Sequence, residues 1–224
     1  SAGEVSDYWR DKAVSSMLAQ PAAWMRTLAR KAFLLLNALE LPDAYDQYTY
    51  AGWSVLLRWL GRVFHFGVLL PLAGAGIVVT WARWRLIWPL YGLLVLYAGS
   101  VSLFFVFSRY RLPLVPILIL FAAVFVTEAA GSLLRGARVA PAALLAALAL
   151  AGIANWPPAE AAGKQRFKAT MLNNIAGTIV YQPGRSLETI RVLTESIPLD
   201  PAFGPAYYHL GLAYLKGGDG RQGR

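Results

Sequence analysis

The sequence predicts an all-α chain: a polytopic membrane bundle of about four helical spans, followed by a partial helical repeat. Three observations carry this fold class. The 224 residues are 57% hydrophobic and only 15% charged, where a soluble domain carries about 25% charged residues. The apolar residues fall in blocks of roughly twenty, the helix length that crosses a hydrocarbon layer of about 30 Å. After Trp156 the composition turns ordinary, and a helical pattern recurs at an offset of 35 residues.

These features exclude a disordered chain and argue against a conventional soluble enzyme. With no cysteine, disulfides, thiolate metal sites and cysteine nucleophiles are ruled out. The formal net charge is +9, carried mostly by arginine. In a membrane chain such an excess reports loop topology and contact with lipid phosphates, not nucleic acid. The chain opens on Ser1 without a signal-peptide pattern, and is expected to be a piece of a longer protein.

Residues 1–62 predict an amphipathic external segment. Ala22, Met25, Leu28, Ala29, Ala32, Phe33, Leu35 and Leu36 recur at helical spacing beside Arg26, Arg30 and Lys31. Pro21 suits the start of that helix, which is expected to lie in the membrane interface. Pro42, within Glu-Leu-Pro-Asp-Ala-Tyr-Asp (40–46), is the expected stop. Tyr45, Tyr48, Tyr50 and Trp53 follow as an interfacial aromatic cluster.

Residues 63–156 predict four spans, at about 63–81, 86–107, 112–134 and 139–156, the last barely long enough. Gly74, Gly76 and Gly131 suit close helix packing. The linkers are short and basic, with Arg83 and Arg85, then Arg109 and Arg111, then Arg135 and Arg138. Four arginines against two place the first and third linkers in the cytoplasm and both chain ends outside it. Trp81, Trp84, Trp88 and Trp156 lie at span ends, as headgroup anchors do.

Residues 157–172 form a linker and lead-in helix opened by Pro157-Pro158. Residues 173–224 resemble a tetratricopeptide repeat, cut short at Arg224. The segment from Asn174 is echoed from His209; Leu187, Ile190 and Leu193 lie on one helix, Leu199-Asp200-Pro201 form the turn, and Ala206, Leu210, Gly211 and Ala213 continue. The expected role of such a repeat is to hold a protein partner or to act as a spacer.

Catalytic constellations are scarce. His65, inside the first span, and His209, in the repeat, have no neighbours at metal-ligand spacing, so no metal and no cofactor is expected. No nucleophile elbow or phosphate-binding glycine loop occurs. Glu128, the one acid within a span, is a functional candidate or a partner of Arg135. The cluster Ser108-Arg109-Tyr110-Arg111-Leu112-Pro113 puts two guanidinium groups at headgroup depth, suited to phosphate oxygens or to interfacial anchoring.

Arg-Tyr-Arg-Leu-Pro-Leu-Val-Pro (109–116) resembles a motif of the dolichyl-phosphate-mannose protein mannosyltransferase-like enzymes, members of the polytopic GT-C superfamily. Tyr8-Trp9, Lys12-Ala13, Pro21, Trp24, Arg30-Lys31, Asn37, Glu40, Pro42 and Asp43 resemble the segment that precedes it in bacterial relatives. Some of those also carry tetratricopeptide repeats after their last span. The resemblance implies transfer of a sugar from a polyprenyl-phosphate donor to an envelope acceptor at the outer face of the bacterial inner membrane. It implies Arg109, Tyr110 and Arg111 as contacts of the donor phosphate, with Arg30 and Lys31 as weaker ones. It also implies that the catalytic aspartate lies in an early external loop upstream of Ser1. This stretch is then the C-terminal portion of the transferase, inactive alone, and Asp7, Asp11, Glu40, Asp43 and Asp46 do not supply the base. Two other functions fit the same features: a non-enzymatic membrane-anchored repeat scaffold, and an envelope oligosaccharide polymerase or ligase.

Overall fold

A computed structural model describes residues 2–43 and 46–217; Tyr45 of the aromatic cluster and the repeat beyond Gly217 lie outside the described residues. Among the described residues the chain is helical throughout, with no strand. In chain order the helices are α1 (Ala2–Ala19), α2 (Pro21–Leu36), α3 (Gln47–Trp53), α4 (Val55–Val63), α5 (Phe66–Thr80), α6 (Trp84–Leu103), α7 (Ser108–Arg111), α8 (Leu114–Leu134), α9 (Pro141–Asn155), α10 (Lys164–Ile179), α11 (Ser186–Ser196) and α12 (Gly204–Lys216). They group into two units. The first comprises Ser1–Ala38, Phe66–Val106 and Tyr110–Asn155; the second comprises Leu39–His65, Phe107–Arg109 and Trp156–Arg224.

In the first unit α5 is the hub, packed between α8 and α9. Its run Ala73-Gly74-Ala75-Gly76 is buried and explains the hub position. A Cβ at Gly76 would strike the backbone carbonyl of Phe121 on α8, and one at Gly74 would strike the side chain of Leu150 on α9. Two helices therefore approach the α5 backbone where it carries least bulk. Gly131 differs: the nearest atoms to its Cβ position belong to Arg135, one turn on in the same chain. Tyr91 of α6 ties three helices together. Its hydroxyl lies 2.8 Å from Thr80 Oγ1 and donates to the Ile77 carbonyl at 3.3 Å, while its ring stacks on Phe121 at 5.2 Å.

The helix boundaries refine the expected spans. Two stretches are long and apolar enough to cross a membrane, Val55–Leu103 and Leu114–Leu134; α9 is a shorter apolar helix, about 22 Å long at 1.5 Å per residue. The first stretch is not one helix. It breaks at Phe64-His65, where Phe64 caps α4, and again at the 3-10 turn Trp81–Arg83. His65 therefore lies in the break before α5, half-buried. α6 stops at Leu103, so the last four residues expected in the second span are outside it. α8 ends on Gly136, at φ 67°, with Gly136 N donating to Leu133 O at 3.0 Å and Ala137 N to Ser132 O at 2.8 Å. That is the left-handed glycine stop expected where a helix must end sharply. α2 starts at Pro21 as expected but ends at Leu36, with Asn37 in extended backbone as its cap, six residues before Pro42.

In the second unit α10, α11 and α12 pack side by side around Ala176, Leu193 and Ala206. Buried Ser196 donates from Oγ to Ala169 O at 2.9 Å, tying α11 to α10. On α11, Leu187 is 83% exposed, whereas Thr189 and Leu193 are buried. The spacing explains it: Thr189 and Leu193 are four residues apart and share a face, whereas Leu187 is two from Thr189 and points away. Asp46 opens α3, its carboxylate accepting from Tyr48 N at 3.2 Å, Thr49 N at 3.1 Å and Thr49 Oγ1 at 2.6 Å, a complete N-cap.

Candidate functional site

The basic cluster occupies the single turn α7 and the two residues after it. Ser108 anchors the turn, donating from both its backbone N (3.0 Å) and its Oγ (2.8 Å) to the Leu41 carbonyl. Pro113 stands as the residue before α8. Within such a turn, residues two apart do not face each other, and the two arginines accordingly have different partners.

Arg109, in the second unit, places Nη1 2.7 Å from Asp43 Oδ2, with its side chain 60% exposed. An exposed pair of this kind is worth about 0–1 kcal/mol, so a stronger anion could replace the carboxylate at little cost. Arg111, in the first unit, is buried, at 3% exposure. Its Nη1 donates to the carbonyls of Asn37 (2.5 Å), Leu35 (3.2 Å) and Leu34 (3.4 Å), and its plane lies 4.1 Å over the Phe66 ring. The guanidinium thus closes the C-terminus of α2, where carbonyls lack helical partners and the helix dipole is negative; the aromatic face adds cation–π attraction.

Lys31 uses the same device on α6. Its Nζ donates to Leu103 O at 3.3 Å and Phe104 O at 2.9 Å, at that helix's C-terminus. Tyr110 and Arg30 are exposed, on α7 and α2 of the first unit. Of the five candidate residues, then, Arg111 and Lys31 hold helix ends, Arg109 holds a carboxylate, and Tyr110 and Arg30 stand at the surface.

No protein-family model, curated protein or solved structure matches the chain.

Four acids of the N-terminal segment have structural partners. Asp46 is the α3 cap, Asp43 pairs with Arg109, and Asp7 and Asp11 each pair with Arg10 at 3.0 Å. A pocket of about 90 Å³, lined by Pro42, Asp43, Asp46, Phe167, Thr170 and Met171, lies in the second unit; sites for drug-sized ligands run to roughly 300–1,000 Å³, so it cannot enclose a sugar ring. Among the described residues no three His, Cys, Asp or Glu side chains could hold a metal ion. Glu128 is exposed on α8. His209, half-buried on α12, lies 2.8 Å by Nδ1 from Asn173 Oδ1, and burial lowers its pKa. The roles of Asp43 and of the α2 carbonyls were missed from sequence. Their only sequence signal is the two-residue spacing of Arg109 and Arg111, which separates the pair.

Proposed function

We propose that these residues form the C-terminal part of a membrane glycosyltransferase. It would move a sugar from a polyprenyl-phosphate donor to an envelope acceptor at the outer face of the bacterial inner membrane. The observation that favours this reading is the exposed Arg109 guanidinium, paired with Asp43 at 2.7 Å and set in the turn before an apolar helix long enough to span. Negative charge builds on the leaving polyprenyl phosphate as the glycosidic bond breaks. A fixed guanidinium at headgroup depth stabilises that charge more in the transition state than in the ground state. In the first unit Tyr110 and Arg30 are candidate phosphate contacts each taken by itself, while Arg111 and Lys31 fix the ends of α2 and α6. Four spans, both ends external, and a tetratricopeptide unit made of α10 and α11 with α12 opening the next complete the proposal. The shared core of those three helices supports the repeat.

The test is transfer rate against lipid-donor concentration in membranes holding the complete transferase. A charge-assisted phosphate contact is worth roughly 1.5–3 kcal/mol. Arg109→Gln should therefore lower kcat/KM about tenfold or more at 1.4 kcal/mol per decade. Arg109→Lys keeps the charge but loses the fork, and should fall between. Wild-type rates in both variants would leave Arg109 as an anchor. A second reading, the membrane-anchored repeat scaffold, is favoured by the protein partners found for Arg109 and Arg111, which account for both without a substrate. It predicts no sugar transfer by the wild-type protein in that assay.

A further inference from the structure

α4 is nine residues long and has no buried side chain. At 3.6 residues per turn, Val55, Leu56, Trp59, Leu60 and Val63 share one side, and Arg58, Gly61 and Arg62 share the other. The apolar side is open: Leu56 is 68% exposed and Trp59 61%. A soluble surface rarely leaves so continuous an apolar strip uncovered.

Three observations say what covers it. First, only Phe64 and His65 separate α4 from α5, and three Cα–Cα steps of 3.8 Å cannot carry the chain more than about 11 Å. If α5 enters a bilayer, α4 must lie at the surface it enters. At nine residues α4 is too short to cross. Second, the charge is of one sign. No Asp or Glu occurs anywhere from Gln47 to Thr127, so α3, α4 and α5 carry no carboxylate to oppose attraction to an anionic surface. Third, the two arginines have distinct tasks. Arg58 donates to the carbonyls of Ala51 (3.3 Å) and Gly52 (3.0 Å) at the end of α3 and fixes the α3–α4 corner. Arg62 lies with its guanidinium 5.0 Å from the Trp59 ring centre, at the border of the two faces, where a cation reaches headgroup phosphates while its stem stays on apolar surface.

We infer that α4 lies in the plane of an acidic phospholipid surface, with its Leu56–Trp59–Leu60–Val63 side among acyl chains and Arg62 among the headgroup phosphates. This rests on α5 entering the bilayer and is independent of any sugar transfer.

The absence of cysteine makes the test direct. Single cysteines carrying a nitroxide are introduced at 56, 60 and 63, at 61, and at 78 on α5. The full chain is reconstituted in nanodiscs of phosphatidylcholine with phosphatidylglycerol, and in phosphatidylcholine alone. Collision rates with oxygen, which partitions into lipid, and with a water-soluble nickel chelate are then compared. In acidic discs the oxygen-to-nickel ratio should be several-fold higher at 56, 60 and 63 than at 61. Arg62→Gln should lower that ratio in acidic discs and leave it unchanged in neutral ones. Nickel access at 56, 60 and 63 equal to that at 61 would overturn the inference. Shielding of those three sites from both reagents would also overturn it, pointing instead to a protein covering the strip. Nickel access at 78 would overturn the membrane reading and this inference together, whereas a lipid-facing 78 with a water-facing α4 overturns this inference alone.

Discussion

Arg111 shows how a residue type can suggest one chemistry while its surroundings use it for another. Its guanidinium meets three backbone carbonyls of the α2 end and the face of Phe66, whereas Arg109, two residues earlier, meets an exposed carboxylate. Stranding a buried acceptor costs about 1–3 kcal/mol. Arg111→Gln should therefore lower the thermal unfolding midpoint measured in detergent, and Arg109→Gln should leave it unchanged within error. The reverse order would mean that the α2 end is held by something else. Glycine gives a second contrast. Gly76→Ala forces a methyl group into the Phe121 carbonyl, which cannot move as a side-chain tip can. It should cost at least the roughly 1–3 kcal/mol typical of overpacking. Gly131→Ala meets only the flexible end of Arg135 at 3.2 Å and gains helix propensity of up to about 1 kcal/mol, so it should be neutral or stabilising in the same assay. Sequence offers both glycines as packing positions; only the neighbours separate them.

At the scale of elements, the sequence carries position well and ends less well. The four apolar blocks coincide with α5, α6, α8 and α9, each an apolar helix bounded by basic or proline-containing linkers. Their ends depend on local backbone chemistry that composition does not record, such as the Phe64-His65 break and the left-handed Gly136. α4 escaped notice because its apolar residues run on into the next block, and only the break reveals a separate amphipathic helix. The candidate site was legible as a basic cluster but not as a set of partners, since Leu34, Asn37 and Asp43 lie some 70 residues away in sequence. In the C-terminal helices, His209 makes a testable link. With Asn173 presenting its amide oxygen, Nδ1 carries the proton and donates to it across 2.8 Å, and burial holds the ring's pKa below its ordinary value of about 6.5. Between the lowered and ordinary values the unfolded chain binds more protons than the folded one. The stabilisation is therefore complete above the ordinary value and is lost as pH falls through the lowered one. Amide exchange in α12, corrected for intrinsic rates, should speed up on going from about pH 7.5 to about pH 5.5. His209→Gln should flatten that dependence; an unchanged slope would assign it to another group.

For the whole molecule, the distribution of charge is the strongest constraint on how it would sit in a bilayer. The absence of carboxylates from Gln47 to Thr127 leaves arginine as the only ionised side chain type across α4 to most of α8. Orientation there is decided by which basic linkers stay in the cytoplasm, since acidic residues contribute little to it in any case. The linker before α6 holds Arg83 and Arg85, the one before α8 holds Arg109 and Arg111, and the one before α9 holds Arg135 and Arg138. Arg111 is buried against backbone carbonyls, so only Arg109 of the middle linker stands exposed, and the contrast with the outer two linkers sharpens. We therefore expect the Arg83–Arg85 and Arg135–Arg138 linkers in the cytoplasm and the Arg109 turn outside. Trp84 and Ala137 are both exposed and suit a label, as does Tyr110. In intact spheroplasts a membrane-impermeant maleimide should modify Tyr110→Cys at once, but should reach Trp84→Cys and Ala137→Cys only after permeabilisation. Labelling of position 84 or 137 from outside would reverse the assignment and carry Arg109 to the cytoplasmic face, away from a donor presented at the outer one. Labelling of all three sites in intact cells would mean that α6 and α8 do not cross at all.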